Sequence, residues 1–109
     1  MVKKILTGAG FVDGETFTET QFISPPRTTY AVYHDSFTRR GADGLNLIKE
    51  HSYTIEVYSE FGDPEAEARI EATLDSYGIE YDKDDRYWIQ SEQMCQTVYT
   101  FNFIEKLGG

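Results

Sequence analysis

DPEAEARIEATLDSYG, residues 63–78, reads as a single helix and sets the layer against which the rest of the chain must pack. Asp63 has the short carboxylate that caps free backbone N–H groups, and Pro64 suits a first helical turn. Glu65 and Glu67 follow at the positive end of the helix dipole. Ala66, Ile70, Thr73, Leu74 and Tyr77 recur at steps of three and four and so share one side, and Gly78 offers the left-handed residue that ends the run. The spacing predicts a helix of about four turns over residues 64–77. Glu65 and Arg69 stand four apart and can pair, whereas Glu67, Glu71 and Asp75 form a like-charged row that opposes helicity in isolation. Packing against a core must offset that row.

Alternating patterns flank the helix on both sides. From His51 to Ser59, Tyr53, Ile55 and Val57 share one face, expected to meet the core, while Thr54, Glu56 and Tyr58 share the other. Upstream, Thr28 to His34 reads as a second strand, preceded by Pro25 and Pro26, which deny a ladder two consecutive donors. The glycine-rich stretch between these strands, residues 39–46, is expected to be an exposed loop long enough for a hairpin reversal. Downstream, Ile79 and Tyr81 suggest a short strand and Asp82 to Asp85 a turn. Tyr87 and Ile89 alternate with Trp88 and Gln90. The long final run sets Cys95, Thr97, Tyr99, Phe101 and Phe103 against Met94, Gln96, Val98, Thr100 and Asn102. The first set carries three aromatics and is expected to cover the helix.

At the amino terminus, Val2 to Leu6 can start a short helix, but Gly8, Gly10 and Gly14 interrupt a long one. Phe17 and Phe22 are the expected anchors of the Gly-containing segment 1–24. Residues 107–109 form an expected frayed tail. This order predicts an α+β fold: an antiparallel or mixed sheet of four to five strands packed against one main helix, with a candidate short helix at the amino terminus and a ferredoxin-like variant among the fitting topologies. Such a sheet has edges, and can leave one face incompletely covered, which assembly with other subunits would bury.

A chain of 109 residues suits one domain with a single core, and two cores would each fall near the limit of independent stability. Aromatics make up 15%, with eight Tyr and seven Phe, so the core is expected to be aromatic-rich. The net charge of −9 disfavours phosphate backbones and anionic membrane surfaces. It is unevenly placed: residues 1–54 balance six basic against six acidic residues, and residues 55–109 set four basic against thirteen acidic. One cysteine, Cys95, excludes an internal disulfide and suits a reducing compartment. The Ile5–Leu6 pair is too short for a signal-peptide core or a membrane span, so a soluble, intracellularly made protein is expected.

Candidate chemistry is sparse. His34 beside Asp35 resembles a base with its orienting carboxylate, but neighbours in a strand point to opposite faces. His51 could approach His34 across a hairpin, yet two histidines without a third ligand make a weak metal set. Asp82, Asp84 and Asp85 lack the full ligand pattern of a calcium loop and read as a solvated turn. Cys95, among Met94, Tyr99 and Phe101, reads as a small apolar filler. None of the glycines falls in a nucleotide-binding fingerprint. No catalytic residue, cofactor or metal is therefore assigned. Arg39 and Arg40 on the expected loop suit an acidic partner, and Trp88 near the acidic turn is a candidate interface anchor.

PPRTTYAVYHD from Pro25, RGAD from Arg40, HSYTIEVYSE from His51, the acidic helix opening at Asp63 and YWIQSEQMCQTVYTFNFIEK from Tyr87 together resemble the small tail-completion or tail-terminator-like proteins of siphophages and prophages. The likeness spans most of residues 25–106 and rests on structural patterns with no catalytic motif. It implies a small α/β subunit assembling as a ring, hexameric in that family, at the head-proximal end of the tail. It also implies tail tube and head–tail connector proteins as partners and a place in the virion after synthesis in the host bacterial cytoplasm. By position it marks the Arg39–Gly44 loop, with Arg40 and Asp43, as a joining element and Trp88, Glu92, Met94 and Tyr99 as a packing region. Where the family pattern often has an aromatic before the final strand, this chain has Cys95. The leading expectation is thus a structural assembly protein. The alternatives are a small acidic binding module that mimics nucleic acid and, third, an unrecognised hydrolase.

Overall fold

Asp63 caps the helix as its chemistry requires, its Oδ1 accepting the Ala66 N–H at 3.0 Å, while Gly78 follows the last turn at φ 68°. The computed structural model describes residues 1–41 and 48–107. Its elements are α1 (Val2–Gly8), β1 (Phe17–Glu19), β2 (Tyr30–Arg40), β3 (Ile48–Ser59), α2 (Pro64–Ser76), β4 (Asp82–Lys83), β5 (Tyr87–Ile89) and β6 (Met94–Lys106). The strands form one six-stranded sheet in the order β1-β2-β3-β6-β4, with β5 also pairing β6. All pairings are antiparallel except β1 with β2. The α+β architecture expected from the sequence is the one observed, with a sixth strand.

Both helices lie on one face of the sheet. Ala66, Ile70 and Leu74 of α2 join Val2, Ile5 and Leu6 of α1 over Tyr33, Tyr53, Ile55, Val57, Tyr99 and Phe101. The alternation read in β3 and β6 therefore points the expected sides inward, and α1 forms despite the glycines because its three apolar residues are buried. Phe17 is fully buried in β1, while Phe22 meets Tyr30 edge-on on the other face of the sheet. Tyr77, expected on the buried side of the helix, is its terminal cap and 48% exposed, because the helix ends before carrying it over the sheet.

Two further readings are corrected. β2 continues through Arg39 and Arg40, which pair with Lys49 and Ile48, so these arginines end a strand instead of sitting in a loop. Partner pairing overrides weak local propensity there. The remainder of the expected loop, with Asp43, and the terminal Gly108 and Gly109 lie outside the described residues. The strand expected at Ile79–Tyr81 is displaced to Asp82–Lys83, against Thr100 and Tyr99. The Asp84 N–H extends that contact to the Val98 carbonyl.

The sheet outruns its helices. The core ends near the Asp35–Tyr53–Phe101 row, with Phe103 packed against its margin. Beyond it, β2, β3 and β6 continue together as a three-stranded arm to the Arg40–Ile48–Lys106 row. The fold accordingly measures 51 × 29 × 23 Å.

Candidate functional site

The arm is built from alternating faces. On the helix side stand Phe37, Arg39, His51, Lys49, Phe103 and Glu105; on the other stand Ser36, Thr38, Ser52, Glu50, Asn102 and Ile104. Phe37 and Ile104 are 46% and 53% exposed, and Leu107 just past β6 is also exposed. Lys49 places its ammonium 3.7 Å from the Phe37 ring centroid, and Arg40 pairs with Glu50 at 3.2 Å on the opposite face. Arg39 and Arg40 are both exposed, as an interaction surface requires.

At the base of the arm a buried histidine joins two strands. His51 Nδ1 lies 2.7 Å from Asp35 Oδ1 and Nε2 lies 3.1 Å from Glu105 Oε1. Both contacts are hydrogen bonds together only when the ring carries both protons. The ring stacks on Tyr53 with centroids 4.9 Å apart and 7° between planes, and Phe37 and Phe103 flank it. His34, by contrast, lies on the other face with Nε2 3.4 Å from Glu56 Oε1. His34 and His51 therefore do not meet, and the carboxylate adjacent to His34 in sequence serves His51 instead. Among the described residues no group of three or more His, Cys, Asp or Glu side chains is arranged to hold a metal ion.

A second polar cluster lies between α2 and the β6 side of the sheet. Glu67, read as part of a like-charged row, is buried; its carboxylate accepts from Arg86, Lys83 and Thr97. Glu71 accepts from Lys83 at 2.8 Å and from the Tyr99 hydroxyl at 2.7 Å. Burial alone raises both carboxyls, but these bonds outweigh it and hold each below the usual carboxylate range. Burial and the Glu71 bond push the Tyr99 phenol far above its ordinary value. Glu67 and Glu71 of the acidic row are thus paired with two cations from the turn and strand region that follows α2. Among the described residues no buried side-chain polar atom lacks a partner, and this cluster locks helix to sheet.

The remaining residues marked from sequence fall elsewhere. Trp88, 40% exposed, donates through Nε1 to Gln90 Oε1 at 3.1 Å and stands beside Cys95, which is half-buried. Met94 is half-buried with Sδ 3.7 Å from the Tyr30 hydroxyl, and Glu92 is exposed in the turn before β6. Tyr99 is fully buried, which removes it from any surface. Arg39 and Arg40 lie at one end of β6's length and Trp88, Glu92 and Met94 at the other, roughly 40 Å apart along the strand. The structure therefore brings the marked residues into two separate patches. Asp35 and His51 stand out in the sequence, but their grouping with Glu105, and that of Lys83 and Arg86 with Glu67, does not, because only strand order joins them.

No family model matches the chain, and no curated protein matches it in sequence.

Proposed function

We propose that this chain is an assembly subunit of a tailed-phage particle, acting at the head-proximal end of the tail by contact with copies of itself and with tail tube and connector proteins. The observation that carries this reading is the arm, a stretch of sheet beyond the helix layer with exposed Phe37, Ile104 and Leu107 and the cations Arg39 and Arg40 at its end. A small domain gains nothing in its own core from such an extension, whereas a partner surface would bury it. The likeness of most of residues 25–106 to tail-completion or tail-terminator-like proteins supplies the partner class. On this reading the protein works by shape and charge complementarity, as a virion component and not as an enzyme.

The experiment is addition of the purified chain to growing tail tubes, with tube length followed by electron microscopy and solution mass by light scattering across concentration. Termination of tube growth with the chain seated at one tube end is the expected result. Tubes that grow past normal length with no chain bound would overturn the proposal.

A further inference from the structure

The outer edge of β6 changes character part-way along. The Asp84 N–H donates to the Val98 carbonyl, and β4 pairs with Tyr99 and Thr100. Outward bonding groups fall on alternate residues, so the outward set continues through Asn102, Ile104 and Lys106. Among the described residues no strand accepts it beyond Thr100. The register of β4, carried upstream, would bring Glu80 opposite Asn102 and Gly78 opposite Ile104. The end of α2 prevents that. The Gly78 N–H turns back to the Asp75 carbonyl at 2.9 Å, and the Ile79 N–H to the Leu74 carbonyl at 3.0 Å. The chain is thereby held off the edge, and a groove of about 550 Å³ opens between residues 78–82 and residues 100–104.

The edge beside this groove is unprotected. Natural sheets blunt free edges with charges, prolines or bulges. The outer edge of β2 beyond β1 carries such charges in Asp35, Arg39 and Arg40. Its outward set falls on odd residues, since the Ala31 N–H donates to the Thr16 carbonyl. The β6 edge instead reads Phe101, Asn102, Phe103, Ile104, with no charge and no proline, and Asn102 and Ile104 are exposed. The groove suits an added strand in polarity as well. Ile79, Tyr81 and Phe103 pack against the core and give it an apolar wall. Its rim is acidic: Glu80 and Asp82 are exposed, and neither pairs with a cation among the described residues. Around them, residues 55–109 set thirteen acidic against four basic residues.

We propose that the 101–106 edge of β6 binds an extended, basic segment of another protein as an added strand. Main-chain bonds to Asn102 and Ile104 hold the guest, and its alternate side chains select it. One set is apolar and lies along Ile79 and Phe103; lysines or arginines in the segment answer Glu80 and Asp82. Because β4 closes the slot at Thr100, the guest extends from there toward Lys106. The contact is a property of this edge and is independent of the assembly reading.

The test follows amide hydrogen exchange by NMR in the full-length chain, with an end-blocked peptide of alternating valine and lysine as the probe. At saturation the Asn102 and Ile104 N–H groups are expected to slow by about tenfold or more. The outward N–H groups of Phe37 and Arg39 on the β2 edge are expected to stay unchanged. A valine–glutamate peptide, and the lysine peptide with every backbone nitrogen methylated, are each expected to protect neither edge. No slowing at Asn102 and Ile104, equal slowing on the β2 edge, or equal slowing by the acidic or methylated peptide would overturn the proposal. Glu80→Lys with Asp82→Lys, both at exposed positions, is expected to invert the preference, so that the glutamate peptide protects and the lysine peptide does not. A retained preference for lysine in that double variant would also overturn it.

Discussion

Arg86 grips Glu67 with both arms of its guanidinium, Nε 3.0 Å from Oε2 and Nη2 3.1 Å from Oε1. The two residues are nineteen positions apart, one on the first turns of α2 and one just before β5. Lys83 and Thr97 complete the set around the same carboxylate, so α2 is tied to the sheet by a polar clamp as well as by Ile70 and Leu74.

Removing that carboxylate is expected to be costly. Glu67→Ala leaves Thr97 without its acceptor and two cations without their shared partner, and should lower stability by about 2–4 kcal/mol in a denaturant titration. Glu67→Gln should lose less, since it keeps the volume and one acceptor. Equal stability of all three chains would show that the clamp contributes nothing.

The same cluster gives a pH dependence. Glu67 and Glu71 titrate below their ordinary value of 4.5 in the folded chain, so the folded state holds them ionised more strongly than the unfolded state does. Their contribution is therefore complete above that value and is lost as pH falls through the folded values. The stability gap between the natural chain and a Glu67→Gln, Glu71→Gln double variant should be widest near neutrality and shrink in acid. Urea midpoints measured across pH test this, and a gap that widens in acid would contradict it.

Gly62 makes room for the clamp. It adopts φ 92°, and a Cβ there would lie 2.8 Å from Arg86 Cδ. Gly62→Ala is therefore expected to destabilise by about 1–3 kcal/mol, through backbone strain and displacement of Arg86. In an Arg86→Ala background the steric part should vanish and the cost of Gly62→Ala should fall. A thermodynamic cycle over the four chains measures that coupling.

Tyr99 has no exposed surface and sits at the meeting of α2, β3 and β4. Tyr99→Ala should lower stability by roughly 3–5 kcal/mol, since it empties a large core position and strips Glu71 of a donor. A shift within about 0.5 kcal/mol would place the side chain at the surface instead.

Charge reversal probes the arm. Arg39→Glu with Arg40→Glu should leave helix content unchanged, because both residues lie well away from α1 and α2, while weakening attachment to an acidic partner surface. Unchanged assembly in particle reconstitution would remove the arginines from the interface.

The sequence by itself determined α2 and the two long strands beside it. Asp63, Pro64 and Gly78 act within a few residues of where they stand, and the alternation of Tyr53, Ile55 and Val57 or of Thr97, Tyr99 and Phe101 reports a face without needing to know what covers it. Tertiary structure decided what meets across those faces. The acidic row of α2 reads as repulsive until β4 brings Lys83 and the approach to β5 brings Arg86. His51 finds Asp35 and Glu105 only because β3 lies between β2 and β6. Backbone pairing likewise carried β2 through Arg40 where local propensity signalled a loop, and placed the short β1 parallel to it. Caps and periodicities are local interactions written into neighbouring residues, whereas ion pairs and strand order depend on which distant segments the collapsed chain sets side by side.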